Sequence, residues 1–169
     1  MPTSRKSSST DDLPPNPFNR HSKLRILVHL VWSTRERLPW ITAEAEPRLH
    51  AYIVGVFKKH GCYVVAIGGA EDHVHVLFYL GHEAAIGPLL QQVKGSSSRF
   101  ARAELGLEEF QWQRGYAAFG VSPSHSDRVT EYVRNQHRHH AQHDLWPAAE
   151  TLANDESVES SSDESSESP

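Results

Sequence analysis

Two strand-like runs, CYVVAIGGA (62–70) and HVHVLFYL (73–80), stand two residues apart. The first is rich in β-branched residues and closes on Gly-Gly; the second alternates apolar and polar side chains. A connection this short joins only antiparallel neighbours, because a parallel pair needs a crossover of a dozen residues or more. The hairpin restricts the fold more than any other feature, and the remaining elements must be arranged around it.

Upstream, LRILVHLVW (24–32) alternates, with Leu24, Ile26, Val28, Leu30 and Trp32 on one face and Arg25, Leu27, His29 and Val31 on the other. The segment 43–61 then carries Leu49, Tyr52, Ile53, Val56 and Phe57 at helical spacing. Thr42 is its expected N-cap, Lys58 and Lys59 suit its last turn, and Gly61 stops it. Downstream of the hairpin, 84–105 reads as a second helix with Ile86, Leu89, Leu90, Val93 and Phe100 as its buried stripe. Gly106 ends it, and Gly95 with Ser96 to Ser98 marks a weak spot or kink. FQWQRGYAAFGVS (110–122) is expected as a fourth strand broken by glycines. Residues 122–145 form a last helix in which Ser126 caps and Val129, Tyr132, Val133 and Gln136 share a side. The order β-α-β-β-α-β predicts an α+β, ferredoxin-like antiparallel sheet with two helices on one face. The other face is left for the final helix or a ligand.

The chain's 169 residues suffice for one domain with tails. Residues 1–22 are rich in Ser, Pro and Asn without periodicity, and 148–169 are dominated by Ser and carboxylates. Both are expected to be disordered around a folded domain at 23–147. The net charge of −4 is concentrated in the acidic tail; from Lys23 to Trp146, 14 Lys and Arg face 12 Asp and Glu, a balance of +2. The single Cys excludes a disulfide framework or a Cys-rich zinc site. No apolar run is long enough for a membrane span, and the N-terminus has no secretory pattern. A soluble cytoplasmic protein is expected.

His73 and His75 alternate with Val74, Val76 and Phe78, so both imidazoles leave the strand on the face opposite the apolar stripe. Two neutral imidazoles on one rigid strand can chelate a divalent cation, although half-exposed strand histidines are the commoner case. Further donors are available on the last helix: Gln136, His137, His139, His140 and His143. From side-chain chemistry alone, a histidine is a better third ligand than Gln136, and Zn²⁺, Mn²⁺ or Ni²⁺ a better ion than Mg²⁺. A metal-binding protein using the cluster 137–143 is one reading of these residues.

EDHVHVL, a His-hydrophobic-His in the third strand, resembles the HUH motif. EYVRNQ, with Tyr132 four residues before Gln136, resembles the catalytic-helix motif of the single-tyrosine HUH transposases of the smallest bacterial insertion sequences and of REP-associated tyrosine transposases. HLVWSTRERLP, WQRGYAAFGVSPS and KGSSSR (94–99) are similar to further segments of that family, the last to its basic, Ser-rich DNA-contacting helix. The resemblance spans roughly 24–145. It implies metal-dependent cleavage and strand transfer of single-stranded DNA through a 5′-phosphotyrosine intermediate. Tyr132 would be the nucleophile, and His73, His75 and Gln136 would hold Mg²⁺ or Mn²⁺. The implied partners are hairpin-forming element ends and a second copy of the chain in a homodimer. The link 119–126 is then either a hinge for exchanging the tyrosine helix or an ordinary turn.

Arg35, Arg37, Lys94, Arg99, Arg102 and Arg114 are the expected phosphate contacts. Trp40 and Trp112 are candidates for base stacking, and Trp32 for the core. His29 shares a face with Arg25 and either approaches the site or is a plain exposed strand residue. The competing functional class is a non-catalytic nucleic-acid-binding or regulatory module derived from a transposase; the presence of all four chemistry-bearing residues argues against it.

Overall fold

A computed structural model describes residues 24–136. The two segments expected to be disordered, and the histidines beyond Gln136, lie outside the described residues. The elements are β1 (Leu27–Ser33), a helical turn (Arg35–Arg37), α1 (Glu46–Lys59), β2 (Tyr63–Ala70), β3 (His73–Tyr79), α2 (Ile86–Glu104), β4 (Ala117–Val121), a second turn (Pro123–His125) and α3 (Ser126–Arg134). The sheet is antiparallel with the order β2-β3-β1-β4. This is the ferredoxin-like α+β arrangement. The hairpin is present, pairing Ala70 with His73 across Glu71–Asp72, with one irregularity between Val64 and Ala66.

The two faces of the sheet have different coverings. Val28, Leu30 and Trp32 of β1 and Val74, Val76 and Phe78 of β3 face α1 and α2, which contribute Leu49, Ile53, Phe57, Leu89, Leu90, Val93 and Ala101. The Phe57 and Phe78 rings meet edge to face at 4.7 Å. Fully burying each large apolar side chain contributes about 1.5–3 kcal/mol, so this face dominates stability. On the opposite face α3 packs on β2 and β3. Its contact is a smaller cluster of Leu27, Ala66, Leu77, Val129, Tyr132 and Val133. Gly68 of β2 is the seat of α3: a Cβ there would overlap the Val133 carbonyl oxygen. Only glycine allows the helix backbone this close.

Several local expectations change. β1 begins at Leu27, and Ile26 is 45% exposed instead of joining the apolar face. α1 begins at Glu46; the Thr42 hydroxyl accepts from the Ala45 N–H at 3.2 Å, capping the turn before the helix. α2 runs through Gly95 without a kink. The hydroxyls of Ser96 and Ser97 donate one turn back, to the Gln92 and Val93 carbonyls at 2.7 and 2.6 Å. The fourth strand is only Ala117–Val121, not 110–122. The Lys94 ammonium explains the loss, donating to the carbonyls of Gln113, Arg114 and Gly115 at 2.8, 3.2 and 2.6 Å. Those carbonyls are tied to α2 rather than to β1. Trp112 keeps a single bridge to Thr34, and Phe110 is buried in the helix-side core.

Candidate active site

The alternation of β3 sets the site. With Val74, Val76 and Phe78 committed to the core, His73 and His75 project together from the α3 face, and both are fully buried. Their ring centroids are 4.9 Å apart and the rings nearly perpendicular. β1 supplies a third imidazole: His29 is 2% exposed, and its Nε2 lies 2.9 Å from His75 Nδ1. His29 is paired with Leu77, and Val31 with His75, so the two histidines are diagonal neighbours on one face.

α3 lays a phenol over these rings. Tyr132 is 8% exposed. Its ring stands edge-on to His75 at 5.9 Å and to His29 at 6.4 Å. Gln136 follows one turn later, just past the last residue of α3, and is buried. Its Nε2 donates to the Tyr132 carbonyl at 3.4 Å, while its Oε1 accepts no hydrogen bond among the described residues. A buried amide oxygen left in this way costs about 1–3 kcal/mol.

Asp72, the last hairpin residue, meets His73 from the side. Its Oδ1 lies 2.6 Å from His73 Nδ1, and its Oδ2 accepts from Arg37 Nε at 2.8 Å. Burial pushes this carboxyl up, but the His73 hydrogen bond and charge, together with Arg37, outweigh burial and hold it below the usual carboxylate range. Arg37 reaches Asp72 from a turn in which Glu36 and Arg37 both adopt φ near 54°. Left-handed backbone at a non-glycine residue costs about 1–3 kcal/mol and persists only where surrounding contacts enforce it. The Asp72 carbonyl, which accepts from the Thr34 N–H at 2.8 Å and its hydroxyl at 3.1 Å, is one such contact.

No three His, Cys, Asp or Glu side chains among the described residues are grouped to hold a metal ion. Among the described residues the third donor beside these imidazoles is of another type, the orphaned Gln136 oxygen. Two imidazoles and an amide oxygen are a donor set that fits a divalent ion of Mn²⁺ or Mg²⁺ character.

Of the residues expected from the sequence, His73, His75 and Tyr132 come together, with Gln136 one turn away. The basic residues do not gather there. Arg35 is exposed and contacts Glu36 and Gln111, and Arg37 pairs with Asp72. Lys94, Arg99 and Arg102 lie on α2, across the sheet. Lys94 is tied to three carbonyls, with burial pushing its ammonium down to about 8, and Arg102 donates to the Phe110 carbonyl at 2.7 Å. Arg114 lines a groove of about 430 Å³ between α2 and the segment before β4, with Tyr116. Trp32, Trp40 and Trp112 all pack in or against the helix-side core. Trp40 and Trp112 flank Phe110 at 5.9 and 4.7 Å.

Two site residues carried weaker signals. His29 had the correct alternation, but its burial depends on α3 covering the sheet. Asp72 stands directly before the His-x-His, and a carboxylate next to an imidazole ligand is a common orienting device.

The family profile described as "Transposase IS200 like" matches residues 22–136. Among solved structures, a candidate transposase from Deinococcus radiodurans R1 is similar at 22% identity and a TM-score of 0.54, over 70% of this chain and 95% of that one. A REP-associated tyrosine transposase bound to a REP hairpin is similar at 15% identity and a TM-score of 0.51, over 69% of this chain and 68% of that one. At these identities the likeness is one of fold. No curated protein matches the chain.

Proposed function

Because the chain belongs to the IS200-like transposase family, and is thus a transposase, we propose that it cuts and rejoins single-stranded DNA with Tyr132 as nucleophile. The observation that carries this reading is the Tyr132 ring held edge-on to His75, with Gln136 one turn farther along the chain. Tyr116, the other candidate phenol, is 41% exposed in the α2 groove. Tyr52 stacks on Phe100, and Tyr63 is exposed.

In the forward step the Tyr132 oxygen attacks the scissile phosphorus, and the bond from phosphorus to the 3′-oxygen breaks. The phenolic proton is lost, the 3′-oxygen gains one, and the products are a 5′-phosphotyrosine and a free 3′-OH. Attack by a 3′-OH on the phosphotyrosine reverses the exchange. The number of phosphodiester bonds is conserved, so rejoining needs no ATP. A phenol is a weak nucleophile at neutral pH and gains by being held in place. His73, His75 and Gln136 are the residues that would hold Mg²⁺ or Mn²⁺, whose charge, undiminished by these neutral donors, would polarise the phosphate and stabilise the departing oxygen. α3 carries Tyr132 and leads directly into Gln136, so seating this helix positions nucleophile and third donor together.

The substrate in this reading is a single-stranded, hairpin-forming element end; a hairpin is what the REP-associated relative was bound to. Arg35, Arg99 and Arg114, exposed on the surface, are the phosphate contacts it favours. The assembly it implies is a homodimer, and α3 seated on its own sheet supports a tyrosine acting within its own protomer. No described helix is long and apolar enough to cross a membrane, and the site of action is the cytoplasm, where the DNA is.

The test is incubation of the full chain with hairpin-bearing single-stranded oligonucleotides, with and without Mn²⁺. A metal-dependent covalent adduct mapped to Tyr132, with release of a 3′-OH fragment, is the expected result. DNA binding without any adduct would favour the non-catalytic module.

A further inference from the structure

Each of the two buried histidines on β3 has its Nδ1 engaged by a different side chain, and the two partners differ in kind. A neutral imidazole has one N–H and one lone-pair nitrogen, and only the lone pair can bind a cation. The hydrogen bond at one nitrogen therefore decides whether the other can be a ligand.

For His73 the outcome is fixed by chemistry. Asp72 Oδ1, 2.6 Å from Nδ1, belongs to a carboxylate whose other oxygen is paired with the Arg37 guanidinium at 2.8 Å, and a carboxylate in such an ion pair only accepts. In the neutral ring the proton then sits on Nδ1, and Nε2 carries the lone pair. Asp72 is itself anchored: Arg37 takes Oδ2, Thr34 takes its carbonyl, and the Ile41 N–H donates to the adjoining Glu71 carbonyl at 2.8 Å. The left-handed residues Glu36 and Arg37 are the turn that delivers the guanidinium.

For His75 the partner is His29, Nε2 to Nδ1 at 2.9 Å. One direction of this bond gives the same result as at His73: His75 Nδ1–H donates, His29 accepts, and His75 Nε2 carries the lone pair. The opposite direction places the His75 proton on Nε2 and closes that nitrogen to a cation. His29 also stands edge-on to Tyr132, so the group that sets the His75 tautomer touches the phenol as well.

We propose that Asp72 and His29 are positioning residues that hold His73 and His75 in the Nδ1–H form, presenting both Nε2 atoms to a divalent cation, with Arg37 as the anchor of Asp72. The inference rests on the reading that these two histidines bind the metal. It adds that a carboxylate serves one ligand and an imidazole the other. Such outer partners typically change metal affinity by about 10–100-fold.

The test uses the full chain with ¹⁵N-labelled histidine. Long-range ¹H–¹⁵N spectra of the metal-free protein at about pH 8, where an imidazole is ordinarily neutral, report the tautomer of each ring. Both His73 and His75 should show Nδ1–H. Asp72→Ala should disturb His73 alone, and His29→Phe, which keeps a ring but no acceptor, His75 alone. Each should weaken Mn²⁺ binding, read by electron paramagnetic resonance, by about 10–100-fold. Asp72→Asn and His29→Gln, whose carboxamide oxygens can accept the same N–H, should restore most of that affinity. A purely structural role would not predict rescue that follows the acceptor.

A wild-type protein that binds Mn²⁺ and forms the DNA adduct, yet carries Nε2–H on either histidine, overturns this inference and leaves the proposed function standing. Unchanged Mn²⁺ affinity in folded His29→Phe and Asp72→Ala does the same. A wild-type protein that binds no Mn²⁺ and forms no adduct overturns both. The wild-type spectrum decides the tautomers even if a variant fails to fold.

Discussion

On one side of the sheet, Trp32, Val74, Val76 and Phe78 meet α1 and α2 in a contact of apolar side chains. On the other, three imidazoles, a phenol and a carboxamide are buried beneath a helix of nine residues. Both faces are buried, yet they are held by different forces. The first gains from apolar burial and close packing. The second must satisfy each polar group it removes from water, and does so by pairing them: Asp72 with His73, His29 with His75. Gln136 Oε1 has no partner among the described residues. The same four strands thus serve a face that stabilises the fold and a face that tolerates a stability cost in order to converge donors.

The sharpest way to separate the faces is Tyr132→Phe. It removes one oxygen, keeps the ring against His75 and His29, and should leave melting nearly unchanged. The covalent DNA adduct should vanish entirely, because no nucleophilic atom remains. Denaturing gels of this variant beside Tyr116→Phe check it; an adduct retained in the first and lost in the second would move the nucleophile to the α2 side.

Phe57→Ala should do the reverse. The side chain is fully buried against Phe78, and its loss should destabilise by about 3–5 kcal/mol in denaturant titration. Adduct formation per folded molecule should persist at low temperature. A loss of stability under 1 kcal/mol would mean that this face is not the dominant core.

Gly68→Ala tests the joint between the faces. The added methyl overlaps the Val133 carbonyl, so α3 must shift. Stability should fall by about 1–3 kcal/mol, as for overpacking, while adduct formation drops at least tenfold (about 1.4 kcal/mol in barrier). An unchanged adduct rate would show that Tyr132 does not work from this docked position.

The smallest effect is expected at Lys94. Burial lowers its ammonium to about 8 from an ordinary 10.5. Between those values the unfolded chain binds more protons than the folded one, so stability should rise with pH through that window. Lys94→Met should flatten this rise. Parallel melting curves at about pH 7.5 and pH 10 would show it, and an equal slope in both proteins would place the titration elsewhere.

Much of this arrangement was legible in the residues. The two-residue spacing of the hairpin dictated an antiparallel pair, and the strand alternation that assigned Val74 and Phe78 to the core also assigned His73 and His75 to the other face. Helical spacing put Gln136 one turn after Tyr132 on the same side, although α3 itself ends at Arg134. These are short-range properties, fixed by strand and helix periods. The tertiary structure decided everything that depends on which elements approach each other. It buried His29, which alternation alone left as either a neighbour of the site or a plain exposed strand residue, by pairing β1 with β3 and closing α3 over both. It made Asp72 a partner of His73 through a strained turn 35 residues away in sequence. It drew Lys94 onto three carbonyls that make no strand pairing with β1, removing that ammonium from the expected phosphate contacts. Periodicity says which face a side chain takes; only the packed chain says what meets it there.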